Sequence, residues 1–327
     1  MDLSESIFWM NGRLATKCEE ISTDPKSLDH DGFWVSVKNF EGEIICARFG
    51  EIKDAPLPKT LWQKLSSNWH STQSQNQYQE NVLKIKDLIA AGSVYQVNLC
   101  RRLSANCDQS LQGLATELID GNPAPYAAYL KLPGLEIASA SPELFLKRNG
   151  RQIKCSPIKG TSKINQFGEK DRAENIMIVD LIRNDFGQIC QAGSIEVPRL
   201  LGSEEHPGLF HLVSDVTGKL ADDVKWELIL NALTPAGSIS GAPKSSALKI
   251  INEIESVPRG PYCGVIGWSQ GDQGVMSVGI RIFWSLQDGE IHFGTGAGIT
   301  WQSDAKSEWE ETQLKASRLI AIAGGVI

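Results

Sequence analysis

Between Tyr126 and Cys155 the chain lays down four strand-like runs, Tyr126 to Leu132, Glu136 to Ala140, Leu144 to Lys147 and Gln152 to Cys155. The breaks between them are only three or four residues long and include Pro133, Gly134, Pro142 and Gly150. Parallel neighbours need a crossover of a dozen residues or more, so breaks this short require hairpins and antiparallel pairing. Helical segments flank these runs. Val82, Ile85, Leu88 and Ile89 repeat at helical spacing within Tyr78 to Ala91, with Gly92 as the stop, and a strand follows over Ser93 to Leu99. A helix is expected over Lys170 to Asn184, closed by Gly187. Its AENIMIVDLI core is apolar on nearly every side, which places it between layers. Another opens with Pro243 as its first helical residue and runs to Val257. Strands Gly264 to Ser269 and Val275 to Trp284 come next, and Glu290 to Phe293 leads into a glycine-rich turn. The last helix covers Ala305 to Ile322. The mixture is α+β.

Two shorter strand runs, Gly32 to Val37 and Ile44 to Phe49, precede a polar stretch from Ser66 to Gln79 that reads as a surface connection. It divides the chain into a strand-rich N-terminal segment, 1–75, packed on a main domain, 76–327. With 41% hydrophobic and 22% charged residues in 327, the chain has an ordinary globular composition. The net charge of -7 and the scattered Lys and Arg argue against nucleic acid or an anionic membrane as partner. Its longest apolar stretch, Leu319 to Ile327, is far too short to span a bilayer. The opening MDLSESIFWM carries acids where a secretory signal would carry Lys or Arg. The seven cysteines include no CxxC pair, so they read as buried small hydrophobes in a reducing, cytoplasmic setting.

Two carboxylate pairs share one spacing, Asp171 with Glu174 and Glu308 with Glu311. At i and i+3 each pair projects from one helix face, and the Asp171–Glu174 stripe continues to Ile178 and Leu181, which should face inward. Acids in contact repel by roughly 4 kcal/mol at an effective dielectric of 20, so a cation is the economical way to keep them ionised, and an all-oxygen set fits Mg²⁺. Alternatively Glu308 and Glu311 form a solvated face on which Glu311 simply pairs with Lys315. TPAGSISGAPK (Thr234 to Lys244) and GTGAG (Gly294 to Gly298) are turns whose N–H groups could hold anions, and neither has nucleotide-loop spacing. Lys159 sits in a short turn, PIKGT, after a strand and beyond Glu143. As a nucleophile it must be neutral, and moving its pKa from about 10.4 to near 7 costs roughly 4.6 kcal/mol, which burial can supply. Arg281, amid VMSVGIRIFW, calls for a partner such as a substrate carboxylate. His211 precedes the strand LVSDV and could be structural or functional.

Ten ordered segments resemble the chorismate-utilising enzymes: YQVNLCRR, SASPELF, PIKGT, DRAENIMIVDLIRND, FHLVSDVTGKL, TPAGSISGAPK, YCGVIGW, GIRIFW, GTGAGI and SEWEETQLKA. The resemblance implies two facing, largely antiparallel β-sheets wrapped by helices. It implies further that Lys159 attacks C2 of chorismate while Glu143 protonates the departing C4 hydroxyl, with His211 near that hydroxyl. Ammonia then enters at C4 and expels the lysine. By the same carry-over Asp171, Glu174, Glu308 and Glu311 gather around Mg²⁺, which holds the ring carboxylate. Thr161, Ser238, Tyr262, Arg281, Lys315 and the N–H groups near Gly298 meet the substrate. Gln96 stands where water-adding members look to carry a lysine base, which favours ammonia. Lys159 stands where the anthranilate-forming type has alanine, which favours 4-amino-4-deoxychorismate and, downstream, para-aminobenzoate and folate. Anthranilate formation, or chorismate binding without turnover, are the alternatives. No cysteine lies in a nucleophile-elbow context, so ammonia is expected from a separate glutamine amidotransferase subunit or from solution.

Overall fold

The computed structural model describes residues 2–162, 164–206 and 209–327, with the side chains of Thr161, His206 and Leu209 outside the described residues. Its strands can be followed as one antiparallel path. In the first half, Glu196–His206 pairs with Leu209–Lys219, which pairs with Gln152–Ser156 and Ile158–Ser162. The path continues from Gln152–Ser156 through Leu144–Asn149, Gln273–Val278, Val265–Gln270, Phe33–Lys38 and Ile44–Asp54 to Arg13–Ser22. In the second half, Ile7–Met10 is followed by Tyr126–Leu132, Leu135–Ser141, Ile282–Ser285, Glu290–Ile299 and Gln96–Asn106.

Side-chain alternation folds these halves face to face. Phe8, Met10, Leu130, Ile137 and Ile282 meet Val35, Ile266 and Met276 in one core. Their chain neighbours Trp9, Tyr129, Ala138 and Phe283 turn the other way, into a second core under the helices Gln112–Gly121 and Ala305–Ala323. A third core joins Gln75–Ala90 and Lys244–Ile254 to the strands Gln96–Asn106 and Glu290–Ile299. The fold is therefore α+β, two facing antiparallel layers wrapped by helices. Among the described residues no helix is long and apolar enough to cross a membrane.

Two strands pass from one layer to the other, and these passages make the site. Leu135–Ser141 lies in the second half and Leu144–Asn149 in the first, with Pro142 and Glu143 at the passage. Gln273–Val278 and Ile282–Ser285 are divided in the same way by Gly279, Ile280 and Arg281. The passages are bonded side by side: Val278 N donates to Glu143 O at 3.1 Å, Ser141 Oγ to Val278 O at 2.7 Å and Ala140 N to Arg281 O at 3.0 Å. Arg281, at φ 56°, takes the left-handed conformation there.

This passage corrects the single strand expected over Val275 to Trp284, because continuous hydrophobicity does not reveal that a strand changes layers. The glycine-rich turn expected after Phe293 is the interior of Glu290–Ile299, paired residue for residue with Gln96–Asn106. Its glycines answer to crowding: a Cβ on Gly294 would lie 2.0 Å from the Tyr262 ring, and one on Gly296 2.6 Å from Cys100 Sγ. The helix Glu169–Gly187 lies at the surface, not between layers, since Ile178 and Val179 are buried while Ile176 is 43% exposed. The supposed surface connection of Ser66 to Gln79 buries Trp69, Gln73 and Tyr78. Smaller differences are that Gly92 follows the cap residue Ala91, Pro243 is the cap rather than the first residue of its helix, the strand after Ser93 is Gln96–Asn106, and all of PIKGT but Pro157 falls within the strand Ile158–Ser162.

Candidate active site

A cavity of about 770 Å³ opens between the two strand passages and the helices Glu169–Gly187 and Ala305–Ala323. Of the residues singled out from sequence, Glu143, Lys159, Asp171, Glu174, His211, Ser238, Tyr262, Arg281, Gly298, Glu311 and Lys315 line it. Glu308 lies buried behind this lining, Gln96 touches it at Gly298, and the Thr161 side chain is outside the described residues.

At one end, Glu143 is 3% exposed and accepts a hydrogen bond from Ser238 Oγ at 2.7 Å. Burial drives its carboxyl up to about 7, against the pull of Ser238 and of Lys159. The Lys159 amine responds to the same surroundings in the opposite sense: burial holds it below the ordinary lysine range, although Glu174 and Glu143 oppose this. A Cβ on Gly298 would stand 2.4 Å from Gln96 Nε2 and 3.5 Å from Lys159 Nζ, so glycine there lets the amide and the amine share one corner. Gln96 is 1% exposed, and its Oε1 has no hydrogen-bond partner among the described residues. His211 is buried on the neighbouring strand, in register with the Thr161 backbone.

Cations frame the middle. Arg281 Nη1 donates to Lys315 O at 3.2 Å, while Lys315 Nζ donates to Gly296 O at 3.0 Å and pairs with Glu311 at 2.6 Å. Burial lowers the Arg281 guanidinium and raises the Tyr262 hydroxyl well above its usual value. The expected pairing of Glu311 with Lys315 is thus present, but the solvated-face reading fails for Glu308, which is 3% exposed.

At the acidic end, Asp171 Oδ2 accepts from Gly168 N at 3.0 Å and fixes the start of its helix. Glu308 Oε1 accepts from Ser303 Oγ at 2.5 Å and from Lys170 Nζ at 3.0 Å, and Lys170 Nζ lies 3.8 Å from Glu174 Oε1. Burial raises Glu174. It pushes Glu311 upward too, but Lys315, Lys170 and Lys159 outweigh it and the net shift is downward. Among the described residues no group of three or more His, Cys, Asp or Glu side chains is gathered to hold a metal as it stands. Nonetheless, two buried carboxylate oxygens, Glu174 Oε1 and Glu308 Oε2, have no hydrogen-bond partner among the described residues. Such a hard, oxygen-only set suits a divalent cation such as Mg²⁺.

Sequence reading passed over three supports. Lys170 stands four residues before Glu174 on the same helix face, a spacing that could have identified it. Ser303, just before the last helix, orients Glu308 in that helix's first turn. Asn175, fully buried, accepts from Ser214 Oγ at 2.5 Å and donates to Leu212 O at 3.0 Å, tying the acidic helix to the strand that carries His211. Neither of the last two leaves a local sequence signal.

The sequence pattern of the chorismate binding enzymes matches residues 13–321. The aminodeoxychorismate synthase component 1 of Escherichia coli (strain K12) is 36% identical over 271 residues, covering 78% of this chain and 59% of that protein. The anthranilate synthase component 1 of Aquifex aeolicus is 36% identical over 267 residues, covering 77% of this chain and 54% of its own. The chain thus spans between half and two thirds of these relatives' lengths. The crystal structure of anthranilate synthase component I from Streptococcus pneumoniae superposes with a TM-score of 0.81 at 23% identity, over 98% of this chain and 91% of that one, and shares its fold. Similarity over nearly its whole length, on the cavity-lining segments above, makes this chain a member of the chorismate binding enzyme family.

Proposed function

We propose that the chain is an aminodeoxychorismate synthase component I, converting chorismate and ammonia to 4-amino-4-deoxychorismate and water. The carrying observation is the pairing, at one end of the cavity, of a lysine whose charge burial disfavours with a carboxyl raised to about 7. Burial biases both groups toward their uncharged forms, as a nucleophile and a proton donor require. In this reading Lys159 Nζ bonds to C2 of chorismate, the ring double bonds shift, and the C4–O bond breaks as Glu143 gives its proton to the leaving hydroxyl. Ammonia then bonds to C4 and the Lys159–C2 bond breaks, releasing the neutral amine, and the surplus proton on the new C4 amine returns to the Glu143 carboxylate. Arg281, Lys315 and Tyr262 orient the substrate's carboxylates, Ser238 steadies Glu143, and His211 faces the C4 hydroxyl. Glu174, Glu308 and Glu311, with Asp171, would hold Mg²⁺, which supplies a positive charge for the ring carboxylate when bound. Gln96 carries no basic group that could activate water, which supports ammonia as the incoming nucleophile. Ammonia would come from a glutamine amidotransferase subunit; the designation "component 1" of the relatives supports a second component.

The lysine separates this reading from anthranilate formation, which remains the competing activity because an anthranilate synthase component 1 is equally similar. Purified chain is incubated with chorismate, Mg²⁺ and ammonium, with and without an added aminodeoxychorismate lyase. 4-Aminobenzoate that appears only with the lyase, and is lost in Lys159→Ala, is the expected result. Anthranilate formed without the lyase would overturn it.

A further inference from the structure

The acidic end of the cavity is bridged from within. Lys170 Nζ sits 3.0 Å from Glu308 Oε1 and 3.8 Å from Glu174 Oε1, joining the two acidic helices with the one cation that contacts both acids among the described residues. Glu174 Oε1, reached by Lys170 only at that ion-pair distance, and Glu308 Oε2 are both buried without a hydrogen-bond donor among the described residues. Two unequal contacts to an ammonium leave these acids only partly compensated. From this geometry we infer that Lys170 is an internal stand-in for the divalent cation. It holds the acid pair in the metal-free protein and must withdraw before the metal can bind, so metal affinity is set partly by competition with a tethered side chain. The inference rests on the metal reading above. It also gives Lys170 somewhere to go, because its side chain already lines the cavity and has open space in which to turn.

Competition makes two opposite demands on one substitution. Lys170→Met removes the competitor and keeps the bulk of the side chain, so the metal should bind more tightly; it also removes the counter-ion, so the metal-free protein should melt earlier. Mn²⁺ is titrated into wild type and Lys170→Met with free Mn²⁺ read by electron paramagnetic resonance, Mg²⁺ is then used as a competitor, and thermal melts are recorded with and without Mg²⁺. The expected result is at least tenfold tighter Mn²⁺ binding in Lys170→Met, together with a lowered metal-free midpoint that Mg²⁺ restores. Lys170→Arg keeps the charge and should stay near wild type in both measurements. Equal or weaker binding in a Lys170→Met protein with native circular dichroism overturns the stand-in role while leaving the metal site intact. Absence of binding in every variant, with chorismate present as well, overturns the metal reading itself and the inference with it.

Discussion

Replacing Glu143 by glutamine should make the protein more stable at alkaline pH while removing activity. The Glu143 carboxyl titrates near 7 in the folded chain against an ordinary value of 4.5, because folding takes it out of water. A raised carboxyl favours the folded state while protonated: that contribution is complete below the unfolded value and is lost as pH climbs through about 7. A shift of two to three pH units corresponds to about 3 kcal/mol lost by pH 8. Glutamine has nearly the same shape and can still accept from Ser238 Oγ, but it never ionises. Loss of the attraction to Lys159 offsets part of the gain, leaving a net stabilisation of about 1–3 kcal/mol at pH 8. At roughly 2.1 cal/mol/K per residue of unfolding entropy, that is a rise of about 1.5–4.5 °C in Tm. Melting curves of wild type and Glu143→Gln at pH 5 and pH 8 measure it directly. The stabilisation should be larger at pH 8 than at pH 5; an equal difference at both pH values would refute the argument that burial, rather than local packing, sets the Glu143 proton affinity.

Two further outcomes are expected. Gly294→Ala places a methyl carbon 2.0 Å from the Tyr262 ring, and overpacking of that kind should cost about 3 kcal/mol and raise KM for chorismate as Tyr262 is pushed into the cavity; a melting curve and a substrate titration check it, and an unchanged KM would show that Tyr262 does not shape the substrate's place. Glu311→Gln removes one carboxylate from the proposed metal set, so the Mg²⁺ concentration for half-maximal activity should rise at least tenfold; an undiminished Mg²⁺ response would refute that ligand assignment.

The hairpins between Tyr126 and Asn149 were legible because strand-like runs and short Gly and Pro breaks are local signals. The layer change at Gly279–Arg281 was not, since a strand buried in one layer and then in the other reads as one apolar run. GTGAG illustrates the converse error: glycines suggest a turn from sequence, yet here they admit Tyr262, Cys100 and Gln96 against a straight strand, and only long-range packing distinguishes the two. Of the site, Arg281 could be singled out as a charge amid strand-like sequence, and Lys159 as an amine in a short segment just after a strand and beyond Glu143. Lys170 escaped notice because a lysine four residues from a glutamate is usually an ordinary surface pair, and only the approach of Glu308 from another helix changes its meaning.

The two ends of the cavity require opposite electrostatics within one enclosure, and the layer passages explain how one chain supplies both. Glu143 sits on a passage where burial outweighs the hydrogen bond from Ser238, the attraction to Lys159 and the Ile158 backbone, so its carboxyl is raised to about 7. The acidic end is built from helix faces, where Lys170 and Lys315, each four residues from an acid, bring compensating charge and keep Glu311 ionised. Strand-side Glu143 and Lys159 are thus biased toward the neutral form and helix-borne Lys170 and Glu311 toward the charged form, while Glu174, also on a helix, is raised by burial. Lys159 stands between them, raised by Glu174 and Glu143 and lowered by burial and Lys315. Any cation that settled among Glu174, Glu308 and Glu311 would screen the acids that now help keep Lys159 charged. Loading the acidic end would therefore lower the Lys159 proton affinity further, coupling occupancy at one end to readiness of the amine at the other through electrostatics alone.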